Sequence, residues 1–312
     1  MTDPATAVRP VICEVAPRDG FQSIAAPLPT KEKIAIIRDL IDAGCTRIEI
    51  GSFVSPKAVP QMADTGRIAA ETGGAPARMA ALIPNPRGAE AALAAGIDDL
   101  VYVFSVSEAH NRNNVRRSVA ESIQGLRDVA SILPPGTRFR VDLSTCFDCP
   151  FDGPVALPAV LDAVRSAALI LPQAEIALCD TTGRANPFEV QARFRAAMAL
   201  PETAGNGWAF HGHDTYGQGV ANALAAWAAG VRVFDTAAAG LGGCPFAPGA
   251  TGNTATEDLV FAFNEGGLET GIDMRRLLAA ADRIAALPGG VTGSHLRHVP
   301  RERAAPQRQT AR

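Results

Sequence analysis

Short runs of β-branched and apolar residues alternate along this chain with longer Ala- and Leu-rich stretches of helical spacing. Eight runs have the length and composition of buried strands, and a helical stretch follows each of them. The predicted strands are Val11 to Val15, Arg47 to Ile50, Arg78 to Leu82, Asp99 to Phe104, Phe139 to Leu143, Glu175 to Cys179, Trp208 to His211 and Val231 to Thr236. The predicted helices are Thr30 to Ala43, Val59 to Thr72, Pro86 to Ala95, Val115 to Ile132, Leu157 to Leu169, Pro187 to Met198, Tyr216 to Ala229 and Thr254 to Phe263.

Eight strand-helix units within about 250 residues predict a closed parallel barrel, because an open doubly wound sheet rarely contains so many. The expected fold class is therefore α/β, a (β/α)8 TIM barrel. One more helix, Met274 to Ala286, predicts a short C-terminal extension of a single catalytic domain over residues 1–287. Residues 288–312 are rich in Gly, Arg and Pro, lack apolar periodicity, and predict a flexible tail.

The composition of the 312 residues narrows the possible partners and location. A hydrophobic fraction of 47% suits one large core, and a formal net charge of -3 gives no basic field for nucleic acid. The first ten residues lack the apolar stretch of a signal peptide, and no apolar run is long enough to span a membrane. Six cysteines are too few for a disulfide scaffold. We expect a cytoplasmic protein that acts on a small molecule, with no nucleic acid or membrane as partner.

Polar residues concentrate where the predicted strands end. In a TIM barrel the C-terminal ends of the strands and the loops that follow them form the active site. The polar clusters at these positions are Arg18 to Gln22, Glu49, Asp180 to Gly183, His211 to Asp214 and the loop 240–253. Every cluster falls on the predicted catalytic face.

Four of these residues predict a metal site. His211 and His213 are two apart on a strand, so both imidazoles project to the same side. Asp19 and Asn253 share the catalytic end with them and offer oxygen ligands. Two nitrogens and two oxygens suit Mg²⁺ or Mn²⁺ better than a closed zinc site. A pair of packed, hydrogen-bonded histidines is the alternative.

Further charged residues lie at strand ends, where burial is costly without a partner or a function. Arg18 and Glu49 form either a salt bridge or part of the catalytic machinery. Glu14 and Asp180 have the same status: Glu14 can hold Arg18 or a loop, and Asp180 can cap the following turn. Structural support and catalysis have equal weight for these two residues.

The cysteines outside the predicted core differ in how well their surroundings suit a catalytic role. Cys244 lies in a Gly- and Pro-rich loop over the predicted site, where a thiol near a metal and an arginine can act as an acid or base. Cys146 and Cys149 form a C-x-x-C motif after the fifth strand, which in isolation suggests redox or zinc chemistry. No second pair of this kind is present, so we disfavour that interpretation.

Four segments together resemble one known family. They are 14–22 (EVAPRDGFQ), 48–64 (IEIGSFVSPKAVPQMAD), 211–218 (HGHDTYGQ) and 240–258 (GLGGCPFAPGATGNTATED). The chain resembles the 3-hydroxy-3-methylglutaryl-CoA lyases, metal-dependent TIM-barrel enzymes related to isopropylmalate and homocitrate synthases. The resemblance runs from about Ile12 to Gly271. The Gly-Gly-Cys-Pro loop is typical of the lyases, since the synthases carry Gly-Glu-Arg there and usually an extra domain.

The resemblance implies an activity and a role for each candidate residue. It implies that Asp19, His211, His213 and Asn253 bind the metal, and that the catalytic residues are Arg18, Asp19, Glu49, Asp180, His211 and Cys244. The implied reaction is a retro-Claisen cleavage of an acyl-CoA thioester to acetyl-CoA and acetoacetate. In it Arg18 stabilises the enolate and Cys244 handles a proton. A homodimer is also implied.

Several positions depart from the family pattern. Ser23, Ile24 and Ala25 stand where the lyases usually have Asn-Glu-Lys, Ala58 replaces a usual Trp, and Ile50 replaces a small residue. These departures predict a related acyl group, bulkier or differently charged. The alternatives are a lyase or aldolase acting on another branched 3-hydroxyacyl-CoA or hydroxy acid, and a non-enzymatic barrel that keeps a metal for regulation.

Overall fold

The predicted barrel is present in the computed structural model, which describes residues 9–243 and 252–305. Eight parallel strands close on themselves in the order β1-β8-β7-β6-β5-β4-β3-β2. These strands are β1 Val11–Glu14, β2 Arg47–Ser52, β3 Arg78–Leu82, β4 Asp99–Ser105, β5 Arg138–Ser144, β6 Glu175–Asp180, β7 Gly207–Gly212 and β8 Val233–Thr236. All eight were predicted, and their ends lie within two residues of the predicted positions. The TIM barrel is confirmed.

Helices surround the barrel. They are α1 Thr30–Asp42, α2 Thr65–Thr72, α3 Pro86–Ala94, α4 Glu108–Val115, α5 Val119–Ala130, α6 Leu157–Ile170, α7 Pro187–Met198, α8 Gly219–Ala229, α9 Thr256–Glu265, α10 Met274–Ala285 and α11 Arg301–Ala304. Short 3-10 helices are Pro60–Met62, Pro201–Thr203, Ala238–Gly240 and Leu296–His298. Two-residue strands, Asp148–Cys149 and Gly153–Pro154, form a small hairpin after β5. The helix predicted over Val59 to Thr72 is divided, since only its second half is α-helical.

The single helix predicted after β4 is two helices. Arg116 ends α4 in the left-handed conformation, with a φ of 57°. Ser118 then begins α5 with a capping box, in which its side chain accepts from the Glu121 N–H and the Glu121 carboxylate binds back to Ser118. The prediction of one helix over Val115 to Ile132 was therefore wrong at its start. The Ser-x-x-Glu capping signal was present in the sequence and was missed.

The register of β6 against β7 decides which side chains face the barrel axis. Cys179 pairs with His211, and Asp180 pairs with Gly212. Because side chains alternate along a strand, His211 and Cys179 share one face while Asp180 lies on the other. His211 faces the inside of the barrel, where it meets Asp235 of β8. Asp180 therefore faces the surrounding helices.

The apolar core fills the layer between the strands and the helices, with fully buried Phe194, Phe210, Phe234 and Phe263 among its largest side chains. The inside of the barrel is different, because a stack of buried ion pairs crosses it. These pairs join Arg47 to Asp99 and Glu175, and Arg140 to Asp142, Asp235 and Glu175.

Residues 288–305, which the sequence analysis assigned to a flexible tail, contain a 3-10 helix and α11. Leu296, Ala304 and Ala305 are buried, and they cluster with Leu278 of α10. These few apolar residues are too widely spaced to give a periodic signal, so the sequence did not predict this packing. Nowhere in residues 9–243 and 252–305 is there a helix long and apolar enough to cross a membrane.

Candidate active site and metal centre

The turn after β1 carries two of the predicted site residues. Residues Ala16–Gly20 form a single π-helical turn, in which the N–H groups of Arg18, Asp19 and Gly20 all donate to the Val15 carbonyl. Arg18 Nε donates to Glu49 Oε2 over 2.8 Å, and another nitrogen of its guanidinium contacts the Asp19 carboxylate. Arg18 is 8% exposed and Glu49 is 3% exposed. The predicted Arg18–Glu49 salt bridge exists and lies at the mouth of the barrel.

The two histidines meet Asp19 at this mouth. The ring centroids of His211 and His213 are 5.2 Å apart. One potential ligand atom from each of Asp19, His211 and His213 lies within 4.8 Å of the other two. Three side chains from two distant parts of the chain, the β1 turn and the end of β7, thus form a cluster with the spacing a cation needs. The structure brings together three of the four predicted metal ligands in this way.

Asn253, the fourth predicted ligand, is tied to the same cluster. Its Nδ2 donates to Asp19 Oδ2 over 2.8 Å and to the Leu241 carbonyl over 3.1 Å. Its Oδ1 is buried and has no hydrogen-bond partner among the residues that the structure describes. A buried acceptor without a donor is costly in a folded protein. The free oxygen is therefore in the state expected of a metal ligand.

Two glycines allow the chain to pass this close. Gly242 has a φ of +125°, and a Cβ at this position would overlap Asn253 Nδ2 and lie 3.6 Å from Asp19 Oδ2. Gly252 has a φ of +103°, and a Cβ there would overlap the carbonyl oxygens of Gly240 and Gly242. Any larger residue at either position is strained and also displaced by these contacts. The two ends of the 240–253 loop are thus pinned beside the cluster.

The donor set fits a divalent cation on two further observations. His213 Nδ1 is buried and has no partner among the described residues, like Asn253 Oδ1. Among the described residues, the ion pairs inside the barrel link more carboxylates than guanidinium groups, and Arg78 pairs with Asp99 from an exposed position. The carboxylates are Asp19, Glu49, Asp99, Asp142, Glu175 and Asp235, and the guanidinium groups are Arg18, Arg47 and Arg140. A bound cation would offset part of this buried negative charge.

The site holds two carboxylates in different protonation states. Burial raises the pKa of Glu49 to about 7, although the neighbouring Arg18 opposes this shift. Burial also acts to raise the pKa of Asp19, but Arg18, His211 and His213 outweigh it and lower that pKa to about 2. Asp19 is thus an anion at neutral pH, as a metal ligand must be. Glu49 can take up or release a proton near neutral pH.

Two predicted residues are not brought to this cluster. Asp180 faces the helices, and its Oδ2 accepts the Ala185 N–H over 3.1 Å within the turn after β6. Glu14 also faces outward, where it accepts from the Ala16 and Ala238 N–H groups and from Thr256 Oγ1. The structure places both carboxylates where they hold the loops at the catalytic face. This is the supporting role that the sequence allowed for each.

The remaining candidates are the cysteines Cys244, Cys146 and Cys149. Cys244 lies outside the described residues, so its predicted role stays a prediction. Cys146 and Cys149 are buried free thiols; burial raises the pKa of Cys146 to about 12, and its Sγ donates to the Leu143 carbonyl. A buried, protonated thiol is inert, which disfavours redox or zinc chemistry for this pair.

The positions that depart from the family pattern differ in their exposure to solvent. Ile24 and Ile50 are buried in the apolar core. Ala25 and Ala58 are exposed. The Gln61 side chain donates to the Ile24 carbonyl over 2.9 Å and so fixes the backbone there.

Three site residues were missed from the sequence: Asp142, Arg140 and Asp235. The negative charge of Asp142 acts to raise the pKa of both Arg18 and Glu49. Asp235 accepts from both His211 and Arg140. For two of them a signal existed, because Arg140 and Asp142 alternate with apolar residues in the predicted strand Phe139 to Leu143, and both faces of a barrel strand should be buried.

Comparison with known proteins decides the family. The sequence matches the HMGL-like family over residues 9–284. The chain belongs to the HMGL-like family. The resemblance inferred from the four sequence segments is thereby confirmed.

Similar proteins with named activities support the same class. A (R)-citramalyl-CoA lyase of Chloroflexus aurantiacus is 43% identical over 89% of this chain and 90% of its own length. A hydroxymethylglutaryl-CoA lyase of Pseudomonas mevalonii is 40% identical over 89% of this chain and 92% of its own length. Among solved structures, an HMG-CoA lyase from Brucella melitensis is 40% identical with a TM-score of 0.84, covering 90% of this chain and 99% of that one. The prediction of a carbon-carbon lyase is confirmed at the level of the reaction class.

A fourth relative carries ligands. The structure of an HMG-CoA lyase from Acinetobacter baumannii in complex with coenzyme A and 3-methylmalate has a TM-score of 0.86 at 39% identity, covering 95% of this chain and 96% of that one. The likeness in fold therefore extends to a relative that holds coenzyme A and a branched hydroxy acid.

Proposed function

We propose that this protein cleaves the C2–C3 bond of a 3-hydroxy-3-methylglutaryl-CoA-like thioester, giving acetyl-CoA and a 3-oxo acid, acetoacetate. The observation that carries the proposal is the Asp19, His211 and His213 cluster beside the buried Arg18–Glu49 pair at the mouth of the barrel. A set of side chains that can hold a metal ion, a fixed positive charge and a carboxylate with a pKa of about 7 are the parts that retro-Claisen chemistry requires.

We propose that Asp19, His211, His213 and Asn253 hold a divalent cation, Mg²⁺ or Mn²⁺. When bound, the cation acts as a Lewis acid that lowers the pKa of the substrate's tertiary hydroxyl. The unpartnered Asn253 Oδ1 and His213 Nδ1 support this assignment, as does the low pKa of Asp19. These four protein ligands leave coordination positions on such a cation for substrate oxygens.

Glu49 is the proposed base for the hydroxyl proton. Its Oε1 has no hydrogen-bond partner among the described residues, while Oε2 is held by Arg18. Once the proton leaves, the C3 oxygen becomes a ketone and the electron pair of the C2–C3 bond moves onto the thioester as an enolate. Arg18 carries a fixed positive charge in a nearly dry position and stabilises the enolate oxygen.

The last step returns a proton to carbon. We propose that the Cys244 thiol protonates the enolate C2 to form the methyl group of acetyl-CoA. The proton that Glu49 took from the hydroxyl then passes to the Cys244 thiolate. No water or redox partner is consumed, so atoms and electrons balance. Asp180 and Glu14 contribute by holding the loops after β6 and β1, and we assign them no proton.

The acyl group is the open part of the assignment, and a second candidate has support. The Chloroflexus relative that is 43% identical is named for (R)-citramalyl-CoA, which carries a methyl, a hydroxyl and a carboxyl group on the carbon whose bond to C2 is cleaved. The same steps on such a thioester give acetyl-CoA and pyruvate.

A cytoplasmic location and a homodimer also remain predictions.

A substrate panel tests the function. Purified chain loaded with Mn²⁺ is incubated with 3-hydroxy-3-methylglutaryl-CoA, both citramalyl-CoA stereoisomers and unbranched 3-hydroxybutyryl-CoA, and products are measured by mass spectrometry. We expect acetyl-CoA with acetoacetate from the first thioester; pyruvate from a citramalyl isomer at a higher kcat/KM would favour the second candidate. Turnover of none of them would contradict the proposal and revive the non-enzymatic interpretation.

A further inference from the structure

The two clustered histidines have different surroundings. His211 Nδ1 lies 3.1 Å from Asp235 Oδ2, and the two residues are paired neighbours on β7 and β8. His213 Nδ1 has no hydrogen-bond partner in the described part of the chain. One ring is therefore fixed by a carboxylate from behind, and the other is not.

Asp235 is itself held rigidly. Arg140 Nη1 donates to Asp235 Oδ1 over 2.7 Å, and Arg140 Nη2 donates to Asp235 Oδ2, so the contact is bidentate. Arg140 is also bound by Asp142 through Nε, and Glu175 lies 3.6 Å from its Nη1. A fork of this kind sets both the position and the plane of the carboxylate. Asp235 and Arg140 are 3% and 2% exposed, so water does not compete for the contact.

The charge of Asp235 determines the proton on His211. Arg140 donates to both oxygens of Asp235, and this bidentate contact with a guanidinium is the one that an ionised carboxylate makes. An ionised carboxylate only accepts hydrogen bonds, so the Nδ1 that faces it must carry the hydrogen. The lone pair of a neutral His211 ring is then on Nε2, on the side away from Asp235.

We propose that Asp235 is a positioning residue that fixes the Nδ1–H tautomer and ring orientation of His211, so that Nε2 is presented beside Asp19 and His213 as a ligand. The inference rests on the metal site of the proposed function. The two histidines then differ: the His211 ring is already oriented before a cation binds, whereas the orientation of the His213 ring is not fixed by such a carboxylate. Carboxylates in this position behind a ligating histidine commonly strengthen metal binding.

The test compares two isosteric replacements inside the barrel. Asp235→Asn places one amide N–H against a donor of Arg140 or of His211, whichever way the amide turns, and removes the charge behind the ring. Asp99→Asn is the matched control, because Asp99 is equally buried but pairs with Arg47 and Arg78. The melting temperature of both metal-free variants and their Mn²⁺ dissociation constants at one pH are measured on the full chain.

We expect Asp235→Asn to weaken Mn²⁺ binding by roughly 10- to 100-fold, and Asp99→Asn to leave it within about twofold of the native value. A purely structural role would lower both melting temperatures without separating the two affinities. Equal affinities in the two variants would overturn the proposal.

A second measurement needs no variant of Asp235 and no metal. Long-range ¹H–¹⁵N NMR of the metal-free native chain, with the His211 signals assigned from His211→Gln, reports which ring nitrogen is protonated. We expect hydrogen on Nδ1, and hydrogen on Nε2 alone would refute the proposal. If the native chain bound no Mn²⁺, the proposed metal site would fail, while this spectrum would still decide whether Asp235 sets the tautomer.

Discussion

Replacing Arg18 by Gln removes the fixed cation next to the proposed reacting carbons while keeping a side chain of similar length. Arg18 is 8% exposed and its Nε lies 2.8 Å from Glu49 Oε2. Loss of one preorganised donor to a developing oxyanion typically costs about 10² to 10³ in kcat. Because this interaction forms mainly in the transition state, kcat and kcat/KM should fall together.

The pH dependence gives a second, independent signature. Arg18 is the main force that opposes the burial-driven rise in the pKa of Glu49, which is about 7 in the native chain. Without Arg18 the pKa of Glu49 rises, so less of it is ionised at pH 7 and the acid limb of kcat/KM moves to higher pH. Part of the lost rate should therefore return on raising the pH.

The assay is steady-state kinetics across pH with Mn²⁺ saturating. Arg193→Gln is the control, because Arg193 is as buried as Arg18 but donates to the Cys146 and Val155 carbonyls among the outer helices. The control should lose stability and keep its pH profile. Our reasoning would be refuted by an Arg18→Gln enzyme that keeps kcat within about threefold of native, or whose acid limb does not move.

Three further predictions concern residues around the site. Gly242→Ala should weaken Mn²⁺ binding roughly tenfold or more, measured by titration, because its Cβ would push the Asn253 amide off Asp19; unchanged affinity would remove Asn253 from the ligand set. Ala25→Lys should raise kcat/KM on 3-hydroxy-3-methylglutaryl-CoA roughly tenfold by adding a charge-assisted contact, and an unchanged or lower rate would show that the departure is neutral. Cys244→Ala should reduce kcat by roughly 10² to 10⁴ with KM nearly unchanged; a near-normal kcat would move the proton transfer elsewhere.

The fold was predictable because its signal is local and repeated. Each strand is a short apolar run, each helix has its own periodicity, and eight such units leave one common architecture. The H-x-H pair was predictable for the same reason, since residues two apart on a strand share a face whatever its neighbours are. Asp19 followed from its place just after a strand.

The rest of the site depends on pairing between strands, which a single sequence does not contain. Asp180 directly follows its predicted strand and His211 ends its own, so both were expected at the catalytic face. The β6–β7 register pairs Cys179, not Asp180, with His211, and Asp180 therefore lies on the opposite face of the sheet. Asp235 lay inside a predicted strand, and its contact with His211 exists only because β7 and β8 are neighbours. Arg140 reaches Asp235 across the barrel from β5, a contact between residues 95 positions apart.

The central claim is cleavage of one carbon-carbon bond, and isotope placement tests it most directly. The metal-loaded chain is given 3-hydroxy-3-methylglutaryl-CoA with ¹³C at C2, in D₂O, with and without a chelator, and the products are resolved by NMR and mass spectrometry. The account predicts ¹³C only in the methyl group of acetyl-CoA, one deuterium on that carbon, and no ¹³C in acetoacetate. It predicts no products after chelation. Label in the oxo acid, free coenzyme A from simple thioester hydrolysis, or full activity without metal would contradict it.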